Sequence, residues 1–249
     1  MADSKAEAGS GMRAVTISRE YGSGGGEIAS RLAKRLGWKL VNHEVVVQVA
    51  RALGVTEQEA EAYDEHADNM VSRVLYSLTA ISPPMTTTGP LTLATDTRAY
   101  DAARRSVVQG AYSTGKVIIV GRGGQVLLAP QRDVLHVRVV APLEQRITYV
   151  MKREGLDRAA AQARINLKDR DRMHFLNAEH HQNAADAHLY DLVINTGVLD
   201  LDTGVDMVLL ALERKASKLS VPAEELGPGA GMARYPEPPG NFTPQKDAV

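Results

Sequence analysis

The residues best placed to do chemistry lie together near the start of the chain, in Ser18-Arg19-Glu20-Tyr21-Gly22-Ser23-Gly24-Gly25-Gly26-Glu27-Ile28. Four glycines and a serine fill the five positions from Gly22 to Gly26, between a β-branched run and an amphipathic stretch. At the start of a helix such a loop lets backbone N–H groups converge on a phosphate. Glycine is needed there because the loop visits positive φ and a Cβ would block close approach. A plain strand-to-helix turn is the other reading, and it calls for far fewer glycines. Arg19, Gly22, Ser23, Gly24, Gly25 and Gly26 are therefore the candidate phosphate-binding residues.

Two loop types compete for this segment. Gly24-Gly25-Gly26-Glu27-Ile28-Ala29 matches the dinucleotide pattern G-x-G-x-x-A. That pattern directly follows its strand, whereas Ser18 to Tyr21 intervene here. Asn42 and His43 also stand where the ribose-binding acid belongs. A longer triphosphate loop fits better, although no lysine follows Gly24 as G-x-x-x-x-G-K-[ST] requires.

Further candidates are basic. Arg122 follows the apolar run Val117-Ile118-Ile119-Val120, where a guanidinium can grip a phosphate bidentately or make a structural ion pair. Arg164, Lys168 and Arg172, spaced by four, form one stripe, with Asp169, Arg170 and Asp171 interleaved. A solvated helix face is the usual fate of such a run. Arg146 and Arg153 share a face of the preceding helix. His174, His180, His181 and His188 have no carboxylate at a convincing ligand spacing, so no metal site is expected from them. Asp64, Glu65 and His66 read as exposed helix residues.

These groups need a scaffold, and the chain supplies alternating strand and helix patterns. Strands are expected at Ala14–Ile17, Lys39–Val41, Val117–Val120, Val134–Val140 and Asp191–Ile194. An apolar stripe Ile28, Ala29, Leu32, Ala33, Leu36 predicts a helix ended by Gly37. Further helices are expected at Glu44–Leu53, after a Thr56/Glu59 capping box, at Arg98–Ser113, around Leu143–Met151, from an Asp157 cap to about Phe175, and at Thr203–Lys218. Residues 82–96 read as a long loop. The alternation predicts a mostly parallel sheet covered on both faces, with ligands beyond the carboxyl ends of its strands. Residues 1–12 read as a flexible start. The six prolines and four glycines between Ser220 and Val249 predict a disordered tail, whose loss after Leu219 should leave stability within about a kcal/mol. One domain, residues 13–219, remains.

Composition narrows the function classes. With 29 basic and 30 acidic residues the chain has no global field for nucleic acid or an anionic membrane. Aromatics at 4% give few stacking platforms. Cysteine is absent, which removes disulfides and thiolate chemistry. Neither a secretory leader nor a spanning apolar stretch is visible, so a cytoplasmic protein is expected.

The chain resembles the cytidylate-kinase-like proteins of the P-loop kinase superfamily. The likeness runs through Ile17–Gly25 and the helix after it, Leu36-Gly37-Trp38, Val117–Gly123, His136-Val137-Arg138 to Ala141-Pro142, Glu144-Gln145-Arg146, Asp171-Arg172 and Tyr190–Thr196. It implies a three-layer P-loop kinase-like α/β fold with a helical lid at about residues 157–188, and ATP-dependent phosphoryl transfer to a nucleoside monophosphate such as CMP or dCMP, with Mg²⁺ as counter-ion. Gly22 to Gly26 would cradle the donor phosphates, and Arg122 and Arg153 would hold the acceptor or transferred phosphate. Arg170 and Arg172 would close from the lid, and Lys168 is a candidate substitute for the loop lysine. Departures are specific. The family's loop lysine falls at Gly25 and its hydroxyl residue at Gly26 or Glu27. The aspartate after the second strand is Asn42, the next helix's arginine is Gln48, Gly-Arg-Asp is Gly121-Arg122-Gly123, and the acid of the last strand is Asn195. A non-catalytic nucleotide-binding module and an NAD(P)-dependent oxidoreductase are the rival readings.

Overall fold

The computed structural model describes residues 11–42 and 93–228. The expected elements at Glu44–Leu53 and Thr56/Glu59, the Asp64-Glu65-His66 group, Gln48, most of the 82–96 loop and the outermost ends lie outside the described residues. Inside them the order is β1 (Ala14–Arg19), α1 (Gly25–Leu36), β2 (Lys39–Val41), α2 (Leu93–Thr114), β3 (Val117–Val120), α3 (Gly124–Leu127), β4 (Val134–Val140), α4 (Leu143–Glu154), α5 (Arg158–His180), β5 (Leu192–Asn195) and α6 (Leu201–Ala216). Short 3-10 turns form at Ala187–Leu189 and Ala223–Glu225.

The sheet is five-stranded and parallel, in the order β2-β3-β1-β4-β5. Alternation along the strands divides the core. Val15, Ile17, Ile118, Val120, Leu135, Val137 and Val139 bury against α1 and α6, with Ile28, Leu32, Val205, Val208 and Leu212. The other face packs Ala14, Val117, Ile119 and Val134 on Val107, Val108 and Ala111 of α2. A third cluster joins α4 to α5 through Ile147, Val150, Ala161 and Ile165. The three-layer α/β fold expected from the sequence is therefore the one observed. Among the described residues no helix is long and apolar enough to cross a membrane.

The order also removes the dinucleotide reading. In that fold the second strand lies beside the first. Here β3 separates them, so the end of β2 stands roughly 10 Å, two strand spacings, from β1. Local differences are small. Residues 93–96, expected in a loop, already belong to α2. The helix expected to stop near Phe175 continues to His180, because His181 takes φ 53 and donates its N–H to Asn177 in a left-handed cap. The start of the proline-rich segment, expected without helix, is tied down: Arg132 donates to the carbonyls of Lys218 and Val221 at 3.1 and 2.6 Å, and Pro222 begins a 3-10 turn.

Candidate functional site

β1 is the central strand, so its loop opens at the middle of the sheet's carboxyl edge. Gly22 and Gly24 adopt φ 82 and 78, the left-handed region that glycine tolerates. Gly24 is the N-cap of α1 and no side chain caps that end. The first-turn amides of Gly25 to Glu27 have no partner within the helix, and the helix dipole favours an anion beside them. Ser23 faces the other way. It is buried, and its hydroxyl donates to the carbonyls of Glu20 and Val139 at 2.9 and 3.1 Å. Ser23 fixes the loop, and only its backbone can meet a ligand. Thr196, just past β5, donates to the Ser23 carbonyl at 2.8 Å and pins the loop from that side.

Opposite the loop lies α5. Asp157 caps it, accepting from the Ala160 amide at 2.8 Å. One turn carries the contacts: Asp169 accepts the backbone N–H of Tyr21 at 2.7 Å and Nη1–H of Arg146 at 2.5 Å. Arg146 also donates to the Tyr21 carbonyl at 3.2 Å and lies 3.6 Å from Glu20. Glu20 in turn accepts the Ala141 amide at 3.1 Å. Arg172 donates to the Arg19 carbonyl at 3.1 Å, with its guanidinium 5.3 Å from the Tyr21 ring centre. The helix expected as a lid thus sits down on the loop through polar contacts.

The third wall is the turn after β3. Gly121, Arg122 and Gly123 have φ 74, 62 and 67, and Arg122 is one of three described non-glycine residues in that region. Such strain collects at functional sites and needs surrounding support. Arg104 provides it: fully buried (0% exposed), it donates Nη1–H to the Arg122 carbonyl at 2.9 Å. Its guanidinium stacks 4.4 Å from the Phe175 ring centre and lies 3.9 Å from Glu179, both on α5.

Arg19, Arg122 and Arg172 therefore converge from three elements. Burial, followed by the charges of Arg172 and Arg122, pushes the Arg19 guanidinium down to about 9. Arg172 is lowered by burial too, with Arg122 and Arg138 adding to the shift against the pull of Asp169. A half-buried knot of like charges is electrostatically suited to an anion. Arg138 borders it, donating to the Ser18 hydroxyl at 3.3 Å.

The other candidates lie apart. Arg153 is exposed and hydrogen-bonds the Tyr149 hydroxyl at 2.6 Å on its own helix, and that bond raises its pKa. Arg170 is exposed and about 200° round α5 from Arg172. Lys168 is half-buried, one turn before Arg172. Arg104, Arg138, Arg146 and Asp169 are the supporting residues that sequence reasoning did not put in the site. Arg104 carried a signal, since with Val107, Val108 and Ala111 it completes an i, i+3, i+4, i+7 buried stripe.

Phosphate fits this site and the usual magnesium seat does not. The hydroxyl position after the loop is Gly26 or Glu27, and Glu27 is engaged by Arg31 at 3.3 Å. Among the described residues no three His, Cys, Asp or Glu side chains gather to hold a metal.

A glycine-rich loop on the central strand of a parallel β2-β3-β1-β4-β5 sheet, faced by an arginine-bearing helix, defines a P-loop kinase-like α/β protein. The chain belongs to the cytidylate kinase-like family, which matches residues 14–198. It is 25% identical to a cytidylate kinase of Ignicoccus hospitalis over 198 residues, covering 79% of this chain and 97% of that one. A 105-residue stretch, 42% of the chain, is 39% identical to part of a uronate isomerase of Corynebacterium glutamicum, and spans only 20% of that protein. The solved structure of an uncharacterized protein from Eubacterium ventriosum shares the fold at a TM-score of 0.58 and 20% identity, over 81% of this chain and 98% of that one.

Proposed function

We propose that this chain binds ATP at the Gly22–Gly26 loop and transfers the terminal phosphoryl group to a nucleoside monophosphate, CMP or dCMP. The observation that carries the reading is the convergence of Arg19, Arg122 and Arg172 opposite the uncapped start of α1. Phosphoryl transfer asks the protein chiefly for positioning and charge neutralisation, and the acceptor phosphate is already an oxyanion nucleophile. Arg122 and Arg172 are the groups that neutralise the transferring phosphoryl. Arg153, Arg170 and Lys168 lie apart from this knot on α4 and α5, so in this reading they meet only an acceptor that extends outward. The choice of a cytidine acceptor rests on the family and on the cytidylate kinase among its relatives, and a cytoplasmic setting supplies both nucleotides.

The missing loop lysine and hydroxyl favour a second reading, a module that binds nucleotides without turnover. Incubation of the full chain with ATP and each of CMP, dCMP, UMP and AMP, following ADP release, separates the two. ADP release with CMP or dCMP above the ATP-only control supports transfer. ATP binding with no acceptor-dependent ADP supports the module.

A further inference from the structure

The triphosphate loop pattern G-x-x-x-x-G-K places its first glycine six residues before its lysine. Counted back from Gly25, that first glycine falls on Arg19, and Gly24 keeps the second. The two ends of the pattern have exchanged side chains: arginine stands for the glycine, and glycine for the lysine. The structure shows why the exchange is mutual. A Cβ added at Gly25 would meet Cβ of Arg19 at 2.7 Å and its Cγ at 3.3 Å, so the two positions share one space. From there the Arg19 side chain runs toward the β3–α3 turn, where a Cβ on Gly121 would overlap its Nη1. Both glycines are needed by the same arginine.

We infer that Arg19 does the work of the absent loop lysine, reaching the donor phosphates from the end of β1 rather than from the start of α1. The inference rests on the nucleotide reading above and names the residue that reads the phosphates. A guanidinium offers paired donors that match phosphate oxygens, where an ammonium offers a point charge. With Arg122 and Arg172 beside it, it supplies charge that a loop lysine and a bound divalent cation otherwise share. The loop therefore reads free ATP about as well as its magnesium complex. Lys168, one turn from Arg172, has no such exchange of volumes to support it.

The test titrates ATP into the full chain by calorimetry, with EDTA and with Mg²⁺. Arg19→Gln keeps the stem and removes the charge, so its binding of ATP is expected to weaken by about tenfold to a hundredfold, with its melting temperature read alongside. Gly25→Lys alone is expected to weaken binding through the clash at Arg19. Arg19→Gly/Gly25→Lys, which restores the first glycine and the lysine of the pattern, is expected to recover ATP binding relative to Gly25→Lys. Wild-type binding that needs Mg²⁺, Arg19→Gln binding ATP as the wild type does, or a double variant no better than Gly25→Lys overturns the inference. So does Lys168→Ala, should it abolish binding while Arg19→Gln does not. Wild-type protein that binds no ATP at all fails the nucleotide reading itself, which distinguishes the two failures.

Discussion

Gly121→Ala and Gly37→Ala form a matched pair that isolates the Arg19 site from general stability. Both glycines hold left-handed backbone, φ 74 and 66. Forcing alanine into that region costs about 1–2 kcal/mol at either place. For a domain of this size each kcal/mol lowers the melting temperature by about 2–4 °C, so both variants should melt about 2–8 °C early. They differ in what the new methyl meets. At Gly37, the C-cap of α1, nothing lies within 4 Å. At Gly121 the methyl would overlap Arg19 Nη1, so the guanidinium must shift from the position it holds beside the turn. A charge-assisted hydrogen bond to phosphate is worth about 1.5–3 kcal/mol, or about tenfold to a hundredfold in affinity. Thermal melts and ATP calorimetry on both variants make the comparison. Gly37→Ala should bind ATP like the wild type, and Gly121→Ala should lose that factor. Equal affinities for the two would refute the placement of Arg19 at the phosphates.

Three further outcomes are expected. Arg104→Ala removes a buried donor to the strained Arg122 turn and its stack on Phe175, and should destabilise the fold by about 3–5 kcal/mol in urea unfolding; a loss under 1 kcal/mol would contradict the support role. His136 is 7% exposed, bonded through Nδ1 to Thr16 Oγ1 at 2.7 Å, and burial, reinforced by Lys215 against the pull of Asp191, pushes it down to about 4. The unfolded chain then binds its proton first, so this contribution is whole above about pH 6.5 and falls by about 3 kcal/mol on the way to pH 4. Urea midpoints at pH 7.5, 5 and 4 should show a shallower pH slope for His136→Gln than for wild type, and parallel slopes would sink the assignment. Last, hydrogen exchange over residues 168–180 should slow when ATP and CMP are both present, because phosphates would tighten the Asp169, Arg146 and Arg172 contacts; exchange already slow and unchanged by nucleotides would make α5 a packed helix and not a lid.

Much of the fold was readable because it depends on near neighbours. The β-branched runs set the strands, Gly37 ended α1 and Asp157 began α5. The glycine loop and Arg122 were readable as candidate site residues for the same reason. What escaped reading needs distant partners. The Asp169 contacts to Tyr21 and Arg146 require α4 and α5 to pack as Ile147, Val150, Ala161 and Ile165 dictate. The Arg19 path depends on Gly25 and Gly121 together, 96 residues apart. The end of α5 was misplaced because a histidine, not a glycine, takes the left-handed cap. Lys168 drew attention as the nearest lysine on a basic stripe. Arg170, on that same charged run, is exposed on another face of α5 from Arg172, which a run of charges does not reveal.

The central claim is that the loop and its arginines read phosphate groups. Calorimetric titration of AMP, ADP and ATP into the full chain asks this directly. Affinity is expected to climb with each added phosphate, with one site per chain and a steep loss as salt rises, since charge supplies the selectivity. Equal affinities across the three nucleotides, or no binding of any, would contradict it.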